Sequence, residues 1–402
     1  MKELANPIKE PSKNYSLMTG VLFWAGLVIM SSLYITIPLI TTFTDIFKVT
    51  PTQAAWTSSS FSFCFAIGCL FYGPLSDQFG RKTVILSGLS ILAVISLLMG
   101  LITDLSWLIL FRALQGAAAA TFSPVALAYA VEVFPPQKRV TTIGFISTGF
   151  LMAGITGQIF SSYISQHYGW NLVCYLLGII YVVTAFLILW FIPKSPVTHA
   201  NTSTTAIFRQ MGTILTQKSL LYSYTIALTL LLSFVGMYTA LNNYLSSPLF
   251  GFTAQQILYV RSMGIIGMLL SPYAGQLVEK YGVLPVLRSG LLIAIIGLLL
   301  LGISANSLLI IVSSILFVAG IAIAAPTLIA LIGRLGGSAR GAAVSAYTFI
   351  LFAGASIGPI LALNILKSGS YFFTFLALAL CLCFGLLASF FIRMNNEPKQ
   401  AS

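Results

Sequence analysis

The feature that most constrains this chain is a series of long apolar stretches separated by short polar segments. A helix needs about 20 apolar residues to cross the hydrocarbon core of a bilayer. Twelve stretches of this kind, which we number spans 1 to 12, predict an all-α membrane protein with twelve transmembrane helices. They cover approximately residues 18–42, 53–75, 82–102, 106–131, 140–163, 170–192, 219–246, 254–276, 283–303, 307–332, 341–364 and 371–393.

The composition excludes several other classes of protein. With 58% hydrophobic and 7% charged residues, the 402-residue chain has too little polar surface for a soluble globule. The net charge of +12 would indicate nucleic-acid binding only if the basic residues formed one face, and they are scattered among short segments. The five cysteines lie inside apolar stretches, where a thiol behaves as a small hydrophobe, so no disulfide or metal site is predicted.

The second half of the chain repeats features of the first half. The segment GPLSDQFGRK begins at Gly73, and GQLVEKYG begins at Gly275, an offset of 202 residues (275 − 73). At that offset Asp77 corresponds to Glu279, and Gly80 corresponds to Gly282. The repeat predicts two pseudo-symmetric six-helix bundles, at 18–192 and 219–393, joined by a Pro-, Ser- and Thr-rich linker at 193–218 and flanked by tails at 1–17 and 394–402.

Lysine and arginine indicate how the chain is oriented. Short loops rich in these residues are retained in the cytoplasm. With the N-terminus inside, sixteen of the 20 basic residues fall on the cytoplasmic side. No signal-peptide cleavage pattern precedes span 1. We therefore expect both tails and the linker to be cytoplasmic.

Two motifs carry a resemblance to a known family. The segment Gly73–Lys82 resembles the loop between helices 2 and 3 of the major facilitator superfamily, and FRALQG at Phe111–Gly116 resembles the superfamily's span 4 motif. The two six-helix halves also follow that plan. The resemblance implies a monomeric secondary active transporter of the bacterial cytoplasmic membrane and not an enzyme. Within the superfamily it is similar to the drug:proton antiporter branch, the 12-span type that exports drugs or sugars. A proton gradient, and no cofactor, would supply the energy.

The Gly73–Lys82 segment contains candidate gating residues. Glycines at 73 and 80 permit close helix approach and a positive backbone dihedral angle, and Asp77 can pair with a guanidinium. An acid at the end of span 4, Glu132, is unfavourable against the helix dipole and needs a basic partner, for which Arg81 is the candidate. The resemblance implies a cytoplasmic latch formed by Gly73, Asp77, Gly80, Arg81 and Glu132. The alternative is a polar turn beside an unpaired surface acid.

A second group of residues predicts a substrate cavity between the halves. A charged side chain within the bilayer costs at least ~2.5 kcal/mol, so Arg112 is expected to face a cavity or a partner, unless it extends to the interface. Arg261 lies at a comparable depth in span 8. Aromatic and neutral polar residues suit amphipathic solutes. The expected cavity residues are Tyr34, Arg112, Gln115, Gln158, Tyr238, Asn242, Arg261 and Tyr347.

All eight acidic residues fall in tails, loops or span ends, so no carboxylate lies where a membrane-embedded proton relay would need it. Proton coupling would therefore have to use Asp77, Arg112 or Asp45.

One alternative function is transport of an organic anion through Arg112 and Arg261. A remoter alternative is a non-transporting membrane sensor or enzyme, although the sequence has no clustered catalytic set and no soluble domain.

Overall fold

The structure is a computed structural model that describes residues 14–195, 216–304, 306–366 and 370–393. Within those ranges the regular elements are all helices. Eleven of the helical stretches are individually long and apolar enough to cross a membrane. The predicted all-α membrane fold is thereby confirmed. Most of the predicted linker, most of the N-terminal tail and the C-terminal tail lie outside the described residues.

The first half begins and ends its helices at local sequence signals. Thr50 and Gln53 form a reciprocal capping box at the start of span 2. Gly80, with φ of 85°, turns the chain sharply between spans 2 and 3. The helices are Tyr15–Ser31 and Ile40–Phe47 in span 1, Pro51–Phe79 in span 2, Arg81–Met99 in span 3, Leu105–Ala119 and Ser123–Val133 in span 4, Pro136–Tyr168 in span 5 and Trp170–Phe191 in span 6.

The second half repeats these signals. Thr253 and Gln256 form a capping box at the start of span 8, and Gly282, with φ of 87°, separates spans 8 and 9. The helices are Lys218–Ser246 in span 7, Ala254–Met268, Ser271–Tyr273 and Ala274–Tyr281 in span 8, Val283–Ile303 in span 9, Ser307–Leu335 in span 10, Arg340–Leu366 in span 11 and Tyr371–Phe390 in span 12. The sequence repeat is therefore also a repeat of local structure.

Span 1 differs from the continuous helix that the sequence predicts at 18–42. Its first helix has 17 residues and ends at Ser31, and helix resumes only at Ile40. Between them the Tyr34 amide donates to the Ser31 carbonyl at 2.9 Å, three residues back, in place of the α-helical bond four residues back. Irregular backbone at membrane depth is tolerated where protein or a water-filled cavity satisfies it. In this protein the irregular segment of span 1 meets both protein partners and a cavity, which are described below.

The helices pack in the same order in both halves. Span 1 packs on span 5, span 2 on span 4 and span 3 on span 6; in the second half span 7 packs on span 11, span 8 on span 10 and span 9 on span 12. Span 2 against span 11, and span 5 against spans 8 and 10, form the interface between the halves. The described residues thus form two pseudo-symmetric six-helix bundles.

The two bundles approach each other closely at one end through equivalent glycines. A Cβ on Gly73 of span 2 would lie 2.6 Å from the Gly341 carbonyl oxygen of span 11. A Cβ on Gly275 of span 8 would lie 2.7 Å from the Thr141 amide nitrogen of span 5. Small residues let helix backbones approach in this way. We call this the sealed end of the interface.

Candidate functional site

Two connected cavities lie between the halves. A central cavity of about 120 Å³ is followed by a wider vestibule of about 910 Å³. Tyr34, Val235, Tyr238 and Arg261 line both, so they form the constriction between the two. Ser162, which lines the vestibule, lies at the opposite end of span 5 from Thr141. The vestibule is therefore at the end of the bundle opposite the sealed end.

Six of the eight residues expected in a substrate cavity line these spaces. Tyr34, Tyr238 and Arg261 lie at the constriction, and Tyr347 lines the central cavity. Gln158 and Asn242 line the vestibule. The helix break in span 1 and the meeting of spans 5, 7 and 8 bring these side chains together.

The structure corrects the expected position of Arg112 and Gln115, which line neither cavity. Arg112 is fully buried within the first bundle. Its guanidinium donates to the Thr57 carbonyl at 3.0 Å, to the Ser32 carbonyl at 2.9 Å and to the Gln115 side-chain oxygen at 2.6 Å. The reason is the break in span 1, which leaves the Ser32 carbonyl without a helical donor. Arg112 therefore has protein partners and does not extend to the interface.

Arg261, the cation at the constriction, has a different environment from that of Arg112. The Arg261 guanidinium lies over the Tyr238 ring, 5.1 Å from its centroid. The Arg261 Nε and the Tyr238 hydroxyl are buried atoms without a hydrogen-bond partner, and so are the hydroxyls of Ser123 and Ser147. All four residues line the central cavity. Buried polar atoms are normally satisfied, so four exceptions around one cavity indicate a place for a hydrogen-bonding ligand or water.

No carboxylate balances Arg261 within the described part of the chain. Both salt bridges found there involve Arg81. Asp45, expected as a proton-coupling residue, is exposed on the short second helix of span 1 and lines neither cavity. The polar side chains lining the central cavity carry hydroxyl or guanidinium groups, which can all donate. The cavity is consequently positive and rich in donors.

Charged residues gather at the sealed end. The nearly buried Arg81 side chain pairs with Asp77, donates to a Glu132 carboxylate oxygen at 3.2 Å and donates to the Gly73 carbonyl at 3.0 Å. The Asp77 carboxylate also lies against Gly341 in the first turn of span 11. The predicted contact between Glu132 and Arg81 is present, whereas the gating role assigned to these residues stays a prediction.

The serine hydroxyls and the aromatic rings of the central cavity are not among the residues that the sequence predicts there. Phe150, Phe234 and Phe352 line it together with Ser123 and Ser147. Ser123 opens the second helix of span 4, next to Pro124, and that dipeptide was a usable signal for a break within the span. A single phenylalanine in a membrane helix carries no comparable signal, because it suits lipid and cavity equally well.

Comparison with known proteins identifies the family. The sequence matches the family model described as Major Facilitator Superfamily over residues 22–270 and 250–402. The chain belongs to the Major Facilitator Superfamily. It is a multi-pass membrane protein of a family of transporters, as the resemblance of its motifs implied.

Two similar bacterial proteins illustrate the range of relatives of this superfamily member. An uncharacterised transporter of Buchnera aphidicola subsp. Schizaphis graminum is 27% identical over 350 residues, 87% of this chain and 84% of the relative. Multidrug resistance protein 3 of Bacillus subtilis is 30% identical over 141 residues, 35% of this chain and 28% of the relative. The E. coli fucose:proton symporter FucP has a similar structure, with a TM-score of 0.77 at 16% identity, covering 96% of this chain and all of that one. The similarity to FucP shows the major facilitator fold alone.

The ion pairs at the sealed end generate a prediction for this transporter. Asp77→Asn removes the charge that pairs with Arg81, and a hydrogen bond to a charged group contributes about 1.5–3 kcal/mol. We expect the ratio of closed to open forms at this end to fall about tenfold or more. Electron spin resonance distances between labels at Gln137 and Gln276, on opposite halves in a cysteine-free background, measure the change.

Glu279→Gln is the matched control for this experiment, because Glu279 is the equivalent acid of the second half and is exposed. It should leave the distance distribution as in the unmodified protein. An Asp77→Asn variant with an unchanged distribution would remove the basis for the latch.

The second prediction concerns Arg112. Arg112→Ala leaves the buried Ser32 carbonyl and the Gln115 side-chain oxygen without a donor and removes a further hydrogen bond to the Thr57 carbonyl, and should lower the free energy of unfolding by about 2–4 kcal/mol. Arg261→Ala removes a side chain with one ring contact and should have a smaller effect. Thermal unfolding of the purified proteins in detergent measures both. Equal melting temperatures for the two variants would refute the structural role of Arg112.

Proposed function

We propose that this protein is a secondary active exporter of amphipathic small molecules that works by alternating access. The observation that carries the proposal is the cavity between the two halves, open at one end and sealed at the other. The seal consists of contacts between helices of different halves, span 2 with span 11 and span 8 with span 5. A rocking motion of one bundle against the other would break these contacts and close the vestibule.

The lining of the central cavity supports an amphipathic substrate. The rings of Phe150, Phe234 and Phe352 offer apolar surface, and the hydroxyls of Ser123 and Tyr347 offer hydrogen bonds. Mostly apolar pockets with a few convergent polar groups are typical of small-molecule sites. A strongly hydrated sugar would leave much of this apolar surface unmatched, so we favour solutes with an apolar part.

We favour export because one similar protein is named a multidrug resistance protein. The distribution of basic residues predicts that both termini, and with them the sealed end, face the cytoplasm. On this orientation the vestibule opens to the outside of a bacterial cytoplasmic membrane, and the structure is outward-facing.

For proton coupling we propose Asp77 over the other two candidates. Arg112 is held by backbone carbonyls inside one bundle, and Asp45 is exposed at the opposite end from the seal. Asp77 lies at the contact between spans 2 and 11, which alternating access must break and reform. Its protonation would weaken the pair with Arg81 and so favour opening of the sealed end.

Export is tested in cells that express the protein and are loaded with fluorescent amphipathic dyes, one anionic and one cationic. We expect steady-state accumulation of at least one dye to fall about twofold or more, because net efflux opposes its entry. Cells that express Asp77→Asn should lack proton-coupled efflux and accumulate more dye. Addition of a protonophore to cells with the unmodified protein should raise accumulation to that same level. Accumulation equal to that of empty-vector cells for every dye would contradict export, and efflux that survives the protonophore would contradict proton coupling.

A second, narrower candidate is transport of an amphipathic organic anion. It is favoured by the charge of Arg261, which no carboxylate within the described residues balances, and by the unpartnered donors around the central cavity. The sequence predicts that Arg112 and Arg261 would bind such an anion, and of these two arginines only Arg261 lines the cavity. Its guanidinium would receive a carboxylate or phosphate, and the three phenylalanine rings would surround the apolar part of the solute.

We expect Arg261→Gln to weaken binding of an aromatic carboxylate by about 10- to 150-fold, since a charge-assisted hydrogen bond contributes about 1.5–3 kcal/mol. The neutral amide of the same compound should bind both proteins equally weakly. Calorimetry on purified protein measures the affinities, with Arg288→Gln as a control, because Arg288 packs on Phe390 and Ser389 outside the cavities. An amide that binds the unmodified protein as tightly as the carboxylate would exclude an anionic substrate.

A further inference from the structure

A third cavity lies apart from the two between the halves. It is a groove of about 470 Å³ between spans 3 and 6. Leu86, Leu89 and Ala93 line it from span 3, and Val182, Ala185 and Phe186 line it from span 6. Val94 and Phe186, at its rim, are 57% and 49% exposed. An apolar groove on the outer surface of a membrane-spanning bundle is open to the acyl chains of the bilayer.

One lysine lies at one end of this groove, and a segment that contains a second lysine packs beside it. Lys82 lies one turn before Leu86 on span 3, and its Nζ donates to the Leu189 carbonyl at the end of span 6 at 2.6 Å. The Arg81 amide donates to the Ser195 hydroxyl at 3.3 Å, which places the segment after span 6 beside the start of span 3. Lys194 in that segment is exposed and lies within electrostatic range of Lys82.

The remaining charges nearby do not cancel this pair. The carboxylates of Asp77 and Glu132, each with a side chain less than one-fifth exposed, share the single guanidinium of Arg81, so this cluster has a net charge of −1 (+1 − 2) and offsets only half of the +2 of the lysines. Trp190, 73% exposed and next to Leu189, is the kind of residue that marks the membrane–water interface. Lys82 therefore lies at the depth of lipid headgroups and at the mouth of an apolar groove, and the segment that contains the exposed Lys194 lies beside it.

We propose that this groove binds an anionic glycerophospholipid. One acyl chain lies between spans 3 and 6, and the headgroup phosphate lies against Lys82 and Lys194. Basic sites between transmembrane helices are recognised by anionic headgroups, and each basic residue near the surface strengthens the attraction. A zwitterionic lipid has the same acyl chains and phosphate, but its headgroup also carries a positive charge, which the two lysines repel.

The test compares two lipids with identical chains, dioleoyl phosphatidylglycerol and dioleoyl phosphatidylcholine, on delipidated full-length protein in detergent. Native mass spectrometry measures the bound fraction of each. We expect phosphatidylglycerol to bind about tenfold more tightly. The double variant Lys82→Gln with Lys194→Gln should lose this preference. The double variant Lys138→Gln with Lys280→Gln, which removes two exposed lysines of the same end outside the groove, should keep it.

A further variant tests the groove independently of its charges. Ala185→Phe fills the space between spans 3 and 6 and should reduce binding of both lipids several-fold, while the size-exclusion profile shows whether the protein is still folded. Equal binding of the two lipids to the unmodified protein would overturn the proposal. So would a preference that survives in the Lys82 and Lys194 double variant, or binding that is unchanged in Ala185→Phe.

Discussion

A carbonyl group released within a membrane must find a donor, and the first bundle depends on how Arg112 meets this requirement. Span 1 stops being helical at Ser31, and the guanidinium of Arg112 takes up the carbonyl oxygens of Ser32 and Thr57. A lysine could not donate to both carbonyl oxygens in one plane, because its ammonium group lacks the fixed, forked geometry of a guanidinium. With the break held in this way, Tyr34 reaches the constriction between the two cavities. A charge buried in one bundle thus shapes a cavity that it does not touch.

Much of the fold could be predicted from the sequence, and the reasons are physical. A bilayer demands apolar stretches of a certain length, and sharp turns between packed helices demand glycine, as at Gly80 and Gly282. The direction in which Arg112 points could not be predicted. Lipid is as apolar as the protein interior, so the pattern along a membrane helix does not reveal which face is buried. The break that supplies its partners depends on contacts between spans 1, 2 and 4, which spacing along the chain does not encode.

The two halves share a fold but differ in where their charges lie. The first half holds Asp77, Arg81 and Glu132 at the sealed end, while the equivalent Glu279 is exposed. The second half supplies Arg261, the cation of the cavity. Span 11 connects the two regions: its first turn lies against Asp77 at Gly341, and Tyr347, fewer than two turns further on, lines the central cavity. A change at the seal therefore has a short, packed route to the central cavity.

The charge of Arg261 at the constriction also has an electrical consequence. With a monoanionic solute beside Arg261, the loaded cavity is neutral, and its reorientation across the membrane moves no net charge. The empty cavity keeps one positive charge, and its reorientation moves that charge through the field. A full elementary charge crossing 100 mV changes its free energy by about 2.3 kcal/mol. A cell interior at negative voltage would pull the empty carrier back toward the cytoplasm, so the resting potential itself would favour the export direction of the cycle.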